Sequence, residues 1–326
     1  MTPTDTPTST TSPARTTLVT GGNRGLGRAA VLALAAAGSD VVLTYRSNAD
    51  EAAEVVAAVE ALGRRAVALR LDVTEPDTFE AFAEELRRTL ADLDRTHLDA
   101  LVHNAGVAGW TTLGATTAAQ VNDLVAVHLT SVVLLTQALV PLVADGGRIV
   151  TTSTGLARFT GAFGYSVYAA VKGAVEVYTR YLAKELGPRR IAVNAVAPGP
   201  TATDFAGGVL RDDEEVRAHL AAVVAMGGVG EPADVGAVVA AVAGPWPPAL
   251  GADARRTGSW AAPVAGGAGP PVPPRRLRDP GPRAAHRPRR HRHHAGPRPA
   301  RRHARDGAHR LRRDPRADPG RGGPPG

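Results

Sequence analysis

The chain has 326 residues and no cysteine, which excludes disulfides, cysteine-ligated metal sites and a cysteine nucleophile. Its formal net charge of +7 is the sum of two parts of opposite sign. Residues 245–326 contain 19 Arg and five Asp and carry +14, so the remainder of the chain carries −7. No apolar run approaches the roughly 20 residues that a membrane-spanning helix needs. Neither a membrane anchor nor a secretory signal is predicted, and we expect a cytoplasmic protein.

The pattern along the chain predicts a short leader followed by one α/β domain. Residues 1–15 are mostly Thr, Ser and Pro, which predicts a disordered leader. In the body, residues 16–244, short β-branched runs alternate with Ala-rich stretches of helical periodicity. Six strands are predicted, at residues 16–20, 40–45, 66–71, 98–103, 147–152 and 191–196. Strands separated by helices indicate a Rossmann-type, doubly wound parallel sheet, which binds ligands beyond the carboxyl ends of its strands.

A glycine-rich segment, residues 20–30, follows the first strand and predicts a dinucleotide-binding turn. Its glycines allow a tight turn and close approach to a pyrophosphate at the N-terminus of the next helix. The second strand ends without the acidic residue that usually holds the ribose of NAD, so Arg46 and Arg24 favour NADP(H) over NAD(H). The alternative is that both are solvated surface arginines. The cofactor residues predicted in the turn are Gly21, Asn23, Arg24, Gly25, Leu26 and Gly27.

Further cofactor candidates follow the third and fourth strands. Asp72, with Val73 beside it, is placed to accept a hydrogen bond from an adenine amino group. The sequence "HNAG" predicts a small, flat turn formed by Asn104, Ala105 and Gly106 beside the cofactor. Each group could equally be an ordinary cap at the end of a strand.

The segment "SVYAAVKGA" contains Tyr168 and Lys172, four residues apart, in a chain with 36 Arg and only two Lys. On the helix predicted over about residues 164–186, this spacing places both side chains on one face. A nearby ammonium is expected to lower the pKa of the phenol from about 10, which suits a general acid or base. Tyr181 and Lys184, on the same helix, are interpreted as a surface pair.

Taken in order, "TGGNRGLG", "NAG", "YAAVK" and "NAVAPGPTATDF" resemble the short-chain dehydrogenase/reductase family over about residues 16–240, and are similar to 3-oxoacyl-(acyl carrier protein) reductases. The resemblance implies hydride transfer between a nicotinamide and a carbonyl or alcohol substrate. It implies Tyr168 as proton donor, Lys172 on the nicotinamide ribose and Asn104 near the adenosine. It also implies a homotetramer or homodimer. The loop expected over the nicotinamide contains Pro198, Gly199, Thr201 and Thr203, the last bonding the carboxamide or phosphates.

Two positions depart from the family pattern at the expected active site. The hydroxyl that polarises the substrate oxygen is either Ser153 or Thr154; strand register favours Thr154, and both can donate one hydrogen bond. His128 stands where the family usually has an asparagine in the proton relay to the lysine. A neutral imidazole can both donate and accept, so it could replace that asparagine; the alternative is a packed core residue.

The C-terminal part loses the family pattern. An amphipathic lid is predicted at about residues 205–230, and Pro263 within residues 257–267 indicates that the family's last strand is missing or degenerate. The Arg/Pro/His-rich tail, residues 245–326, is predicted to be disordered. We favour a frameshifted reading; the alternatives are a basic arm for nucleic acid or an anionic membrane, and an unusual natural extension. No metal site is predicted.

Two rival functions remain open at this point. The first is a catalytically impaired nucleotide-binding protein, indicated by His128 and by the missing strand. The second is a nucleic-acid binder that acts through the tail. Nucleic acid is the less favoured partner, because residues 273–306 contain no Phe, Tyr or Trp on which bases could stack.

Overall fold

A computed structural model of the chain describes residues 15–160, 163–222 and 224–244. Within these ranges six parallel strands form one sheet in the order β3-β2-β1-β4-β5-β6, which confirms the predicted doubly wound fold. Residues 1–14, the region expected to hold a last strand and the basic tail all lie outside the described residues. The strands are β1 Arg15–Val19, β2 Ser39–Tyr45, β3 Ala66–Arg70, β4 Leu98–His103, β5 Val143–Thr152 and β6 Ala192–Val196.

Six of the nine described helices lie between strands in the chain, and the other three follow β6. A π-helical turn, Ala126–Thr130, joins α4 to α5. The segment predicted as a lid contains a 3-10 turn, Phe205–Gly208, followed by two short helices. The helices are α1 Gly25–Ala36, α2 Ala49–Ala61, α3 Phe79–Asp92, α4 Ala118–Val125, α5 Ser131–Leu139, α6 Ser166–Glu185, α7 Val209–Asp212, α8 Glu214–Ala221 and α9 Pro232–Ala243.

Two element boundaries differ from the prediction for local reasons. Arg15, assigned to the leader, is the first residue of β1: it pairs with Ser39 of β2, and its guanidinium lies 3.7 Å from Asp99. Helix α6 begins two residues later than expected because Gly164 has a φ of +84°, which a right-handed helix does not contain. Its C-terminal end before the Gly-Pro pair agrees with the prediction.

Alternation along the strands divides the core into two layers, one on each face of the sheet. Leu18 of β1 packs in a cluster with side chains of α3, α5 and α6. Val19, the next residue, packs in a second cluster with side chains of α1, α2 and α9. Since successive strand residues point to opposite faces, a run of consecutive apolar residues is what a sheet covered on both sides requires.

One long helical segment, Ala118–Leu142, comprises α4, the π turn, α5 and a short 3-10 turn. It has 25 residues, and within the described part of the chain it alone is long and apolar enough to cross a membrane, which differs from the expectation that no segment would approach that length. In this fold it contributes to the core: Leu135 and Leu139 are at most 1% exposed and pack with side chains of α3.

A buried carboxylate pairs with three arginines at the amino ends of the strands. Asp40, at the start of β2, is 1% exposed. It pairs with Arg64 at 2.7 Å, Arg65 at 3.3 Å and Arg95 at 3.5 Å. It also accepts the backbone N–H of Arg65 at 3.0 Å. Because these arginines directly precede β3 and β4, one carboxylate connects the starts of three strands.

Candidate active site

The glycine turn lies at the carboxyl end of β1 and is bonded to the end of β2. The N–H of Gly21 donates to the hydroxyl of Thr44 at 3.2 Å. Gly21 and Gly25 have positive φ, +64° and +54°. A Cβ on Gly27 would collide with the carbonyl oxygen of Gly21 and lie 2.6 Å from Nδ2 of Asn104. The turn therefore needs glycine for its conformation and for close packing of α1.

The turn after β4 is fastened to the glycine turn. Nδ2 of Asn104 donates to the carbonyl oxygens of Thr20 at 3.0 Å and Gly21 at 3.1 Å. The Thr20 hydroxyl accepts the N–H groups of Asn104 and Ala105, both at 3.0 Å. Helix α1 has no side-chain cap at its N-terminus. This geometry fits a pyrophosphate, which would be drawn to uncapped N–H groups and to the helix dipole.

Basic residues meet at the carboxyl ends of β2 and β3. Nε of Arg70 donates to the carbonyl oxygen of Arg46 at 3.2 Å, which brings the two arginines together. Burial alone would raise the pKa of Asp72, but hydrogen bonds from Thr74 and the charges of both arginines lower it overall. Asp72 accepts the N–H of Thr74 at 2.9 Å, so here it forms the strand-end cap that was its alternative interpretation. Arg24 is exposed at the start of α1.

Two neighbours of the cofactor turns, Arg70 and Glu51, were not predicted, and two predicted residues, Val73 and Leu26, are partly buried. Arg70 was not predicted, although it is the last residue of β3 and the carboxyl ends of the strands were expected to bind the ligand. Glu51 accepts from Nδ2 of Asn23 at 2.6 Å, a contact that no local pattern shows. Val73 packs against the core, and Leu26 is half-buried in the first turn of α1.

Tyr168 and Lys172 lie together in the first half of α6, 7% and 5% exposed. Nζ of Lys172 donates to the carbonyl oxygen of Thr152 at 2.6 Å and lies 5.9 Å from the centre of the Tyr168 ring. Burial raises the pKa of Tyr168 to about 12 and lowers the pKa of Lys172 to about 7. The expectation of a lowered phenol pKa is therefore wrong for this structure, because burial opposes ionisation of both groups.

The two candidate hydroxyls after β5 point to different partners. Thr154 lies beside the Tyr168 hydroxyl and acts to lower its pKa, against the larger opposing effect of burial. The Ser153 hydroxyl instead donates to Oε1 of Glu176 at 2.8 Å. Successive residues at the end of a strand project in opposite directions, so only one of them can face the phenol. Of the two candidate hydroxyls, Thr154 is therefore the one beside Tyr168. It is also the candidate that strand register favoured in the sequence.

His128 lies in the π turn, 1% exposed. Its Nε2 lies 2.9 Å from the carbonyl oxygen of Val107 and 3.4 Å from the backbone nitrogen of the same residue; the shorter contact, to an oxygen that can only accept, favours the ring proton on Nε2. Nδ1 is buried and has no hydrogen-bond partner within the described residues. Burial, with a smaller effect of the Lys172 charge, lowers the pKa of His128 to about 3, so the ring is neutral. It meets the ring of Tyr168 edge to face at 5.2 Å, which places it in the active site.

The loop after β6 joins the active site to the glycine turn. Gly155, beside Thr154, donates its N–H to the carbonyl oxygen of Pro198 at 2.9 Å. Thr203 is buried, and a Cβ on Gly25 would lie 3.7 Å from the Cβ of Thr203, an ordinary contact distance. The predicted loop residues Pro198, Gly199, Thr201 and Thr203 thus lie between the two halves of the site.

A parallel sheet with a glycine turn after β1, and a buried tyrosine, lysine and hydroxyl beyond β5, defines the class of nucleotide-dependent α/β oxidoreductases. Residues 21–250 match the family model described as Enoyl-(Acyl carrier protein) reductase. The chain belongs to the short-chain dehydrogenase/reductase family, and the resemblance seen in the sequence is confirmed.

The matched regions span most of the length of the curated and solved relatives. The hydroxynaphthalene reductase-like protein Arp2 of Metarhizium brunneum is 35% identical over 239 residues, 70% of this chain and 87% of that protein. A short chain dehydrogenase from Burkholderia cenocepacia J2315 in complex with NADP is 38% identical, with a TM-score of 0.64 and coverage of 71% and 91%. The angucycline C-6 ketoreductase LanV with bound NADP is 35% identical, with a TM-score of 0.67 and coverage of 74% and 90%.

Proposed function

We propose that residues 16–244 form an NADP(H)-dependent oxidoreductase that transfers a hydride between the nicotinamide and a carbonyl or alcohol carbon, with carbonyl reduction as the favoured direction. The observation that carries the proposal is the convergence of Thr154, Tyr168 and Lys172 at the carboxyl edge of the sheet. A phenol whose pKa is raised to about 12 keeps its proton at neutral pH, so Tyr168 is in the protonated form that a proton donor requires. Two solved relatives contain NADP, which supports the cofactor assignment.

Each group has a distinct role in this proposal. NADPH, when bound, supplies the hydride. The glycine turn and the start of α1 would hold its pyrophosphate, and Lys172 would bond the nicotinamide ribose. Thr154 lies beside the Tyr168 hydroxyl, so a substrate oxygen bound there can accept a hydrogen bond from each of the two hydroxyls. Thr154 stabilises the developing negative charge on that oxygen, and Tyr168 transfers its proton to it.

Thr154→Val is expected to lower the turnover number by about 100-fold, the typical loss of one donor to a developing oxyanion. Ser153→Ala should lower it by less than about tenfold, because Ser153 bonds Glu176 rather than the reaction centre. Steady-state NADPH oxidation with a carbonyl substrate measures both variants. A larger loss at Ser153 than at Thr154 would reverse the assignment.

Cofactor choice is assigned to the arginines after β2 and β3. Arg46→Ala is expected to weaken NADPH binding by about tenfold while NADH binding stays within about twofold, because only NADPH carries the 2′-phosphate. Fluorescence titration of both nucleotides measures the ratio. Arg87→Ala, which removes the same charge from the exposed face of α3, is the matched control. Equal weakening of both nucleotides by Arg46→Ala would contradict a phosphate contact.

His128 is proposed to act as a neutral hydrogen-bond acceptor in an altered proton relay to Lys172, through the unpartnered Nδ1. His128→Ala is expected to lower the turnover number by about tenfold, and His128→Asn to restore much of it, because the amide again offers an acceptor. The pH profile between about pH 5 and 9 should not shift, because an imidazole with a pKa of about 3 does not titrate there. If the turnover number of His128→Ala equals or exceeds that of the parent protein, His128 has no role in the proton relay.

A homodimer or homotetramer is proposed as the functional state. Apolar side chains line a groove between α4 and α6 and include Val121, Leu129 and Val167. Val177, further along α6, is 45% exposed. Light scattering after size-exclusion chromatography gives the oligomeric state directly.

The rival functions predict different results in simple assays. An impaired nucleotide-binding protein would bind NADPH without oxidising it on any carbonyl substrate. A nucleic-acid binder would show steeply salt-dependent DNA affinity that disappears on deletion of residues 245–326. Cytoplasmic location stays a prediction.

A further inference from the structure

The aromatic rings of the described residues gather at the proton donor. Every ring–ring contact found within residues 15–160, 163–222 and 224–244 belongs to one group, the aromatic cluster, formed by Trp110, Tyr165, Tyr168, Phe205 and His128. Only 4% of the chain is Phe, Trp or Tyr. With so few aromatic residues, their concentration around the residue that moves the proton points to a role in binding.

The outer rings of the cluster are open to a ligand. Trp110 is 59% exposed and Phe205 is 38% exposed, whereas Tyr168 between them is buried. Large aromatic side chains are normally well buried, so exposed rings beside a reaction centre offer apolar surface that a substrate can cover.

The position of Trp110 is held by the backbone beneath it. A Cβ on Gly164 would lie 2.5 Å from the indole ring, so the ring packs directly on this glycine, whose φ is +84°. The neighbouring N–H of Thr111 donates to the carbonyl oxygen of Gly164 at 2.7 Å. The indole meets the ring of Tyr165 nearly perpendicularly at 5.6 Å. This anchoring gives a preformed wall, which lowers the entropy cost of binding a rigid ligand.

The rings reach Tyr168 from separate elements. Tyr165, at the start of α6, contacts Tyr168 at 6.0 Å. Phe205, from the loop after β6, contacts it at 5.9 Å. A substrate whose oxygen accepts the Tyr168 proton therefore lies near aromatic side chains of two different segments. A fused-ring ligand offers these rings more flat surface than a linear ketone or a single small ring does.

The cluster also selects by charge and by π surface. Burial keeps the imidazole of His128 and the phenol of Tyr168 neutral at pH 7, so these two rings supply no counter-charge for an anionic group. Aromatic side chains favour offset-stacked or edge-to-face contacts with another π system, which a saturated chain cannot make. An uncharged, flat π system is the ligand that such a wall binds best.

We propose that this site selects ketones carried within a flat, fused-ring aromatic skeleton, with Trp110 and Phe205 as the residues that determine this specificity. The inference rests on the proposed carbonyl reduction, because it names the substrate class of that reaction. It assigns the open rings to substrate binding and disfavours linear ketones as substrates.

The test compares three ketones: α-tetralone as the fused-ring aromatic substrate, cyclohexanone as the single-ring control and ethyl acetoacetate as the linear one. We expect kcat/KM for α-tetralone to exceed both others by at least about tenfold, the factor that 1.4 kcal/mol of selective contact provides. Trp110→Ala and Phe205→Ala should each lower kcat/KM for α-tetralone by about tenfold and the ratio of kcat/KM for α-tetralone to that for cyclohexanone by at least about fivefold. Leu113→Ala, a fully exposed apolar residue of the same loop, is the matched control.

The two possible failures give different results. If cyclohexanone or ethyl acetoacetate is reduced as well as α-tetralone, or if both cluster variants lower all three equally, the substrate assignment is overturned while carbonyl reduction stands. If no ketone is reduced, the proposed function fails. Calorimetric binding of β-naphthol to the parent protein and to Trp110→Ala then still tests the aromatic wall: equal affinities overturn it, and a loss of about tenfold in Trp110→Ala supports it.

Discussion

Tyr168→Phe is expected to lower the turnover number of carbonyl reduction by about 100-fold to 10,000-fold, the range of a general acid in the transition state. The substitution removes one hydroxyl and retains the ring that packs against His128 and Phe205. The fold and the cofactor turns should therefore persist, and NADPH affinity should change by less than about threefold. Single-turnover NADPH oxidation, together with a fluorescence titration of NADPH, separates the two effects.

A control on the same helix makes this result specific. Tyr181→Phe also removes one phenolic hydroxyl from α6, but Tyr181 is 66% exposed and makes no contact with the site. Its turnover should match that of the parent protein within about twofold. If carbonyl reduction survives Tyr168→Phe unchanged, the proton comes from another group and the assigned mechanism is wrong.

Asp40→Asn is expected to lower the free energy of unfolding by about 2–4 kcal/mol. Removing one partner from a buried ion pair typically costs about 3–5 kcal/mol, and the partly exposed arginines reduce that cost here. Without the carboxylate charge, the guanidinium groups of Arg64, Arg65 and Arg95 repel one another at the starts of β3 and β4. Urea unfolding, followed by circular dichroism, gives the difference in free energy.

Asp94→Asn is the matched control, because Asp94 pairs with Arg65 at 3.3 Å but its side chain is 88% exposed. An exposed pair contributes about 0–1 kcal/mol, so this variant should unfold close to the parent protein. Asparagine also tolerates the positive φ of 53° at this position. Equal destabilisation by the two variants would show that burial of Asp40 adds nothing, contrary to the structure.

The strands and the nucleotide turn could be predicted because their signals are local. Apolar runs bounded by polar residues placed all six strands, and β5 alone begins several residues earlier than expected, at Val143. Glycine spacing predicted the turn after β1. In the structure, Gly27 and Asn104 pack closely against this turn. The four-residue spacing of Tyr168 and Lys172 was sufficient to place them on one face of α6, because helical geometry fixes that relation.

Other site properties depend on residues distant in sequence. The raised pKa of Tyr168 results from burial among side chains of several elements, so spacing to Lys172 predicted the wrong direction. Arg70 joins Arg46 only because β3 lies beside β2. The aromatic cluster draws Trp110, Tyr165 and Phe205 from three separate segments, and no periodicity connects them.

By itself the sequence determined the α/β fold class, the position of the nucleotide turn and the pairing of Tyr168 with Lys172. These follow from backbone periods and steric rules that act over a few residues. Only the tertiary structure decided that Thr154 rather than Ser153 faces the phenol, that His128 is neutral with an unpartnered nitrogen, and that exposed rings flank the reaction centre. These depend on burial and on contacts between distant segments, because the energy of a polar or aromatic group is set by what surrounds it in the folded chain.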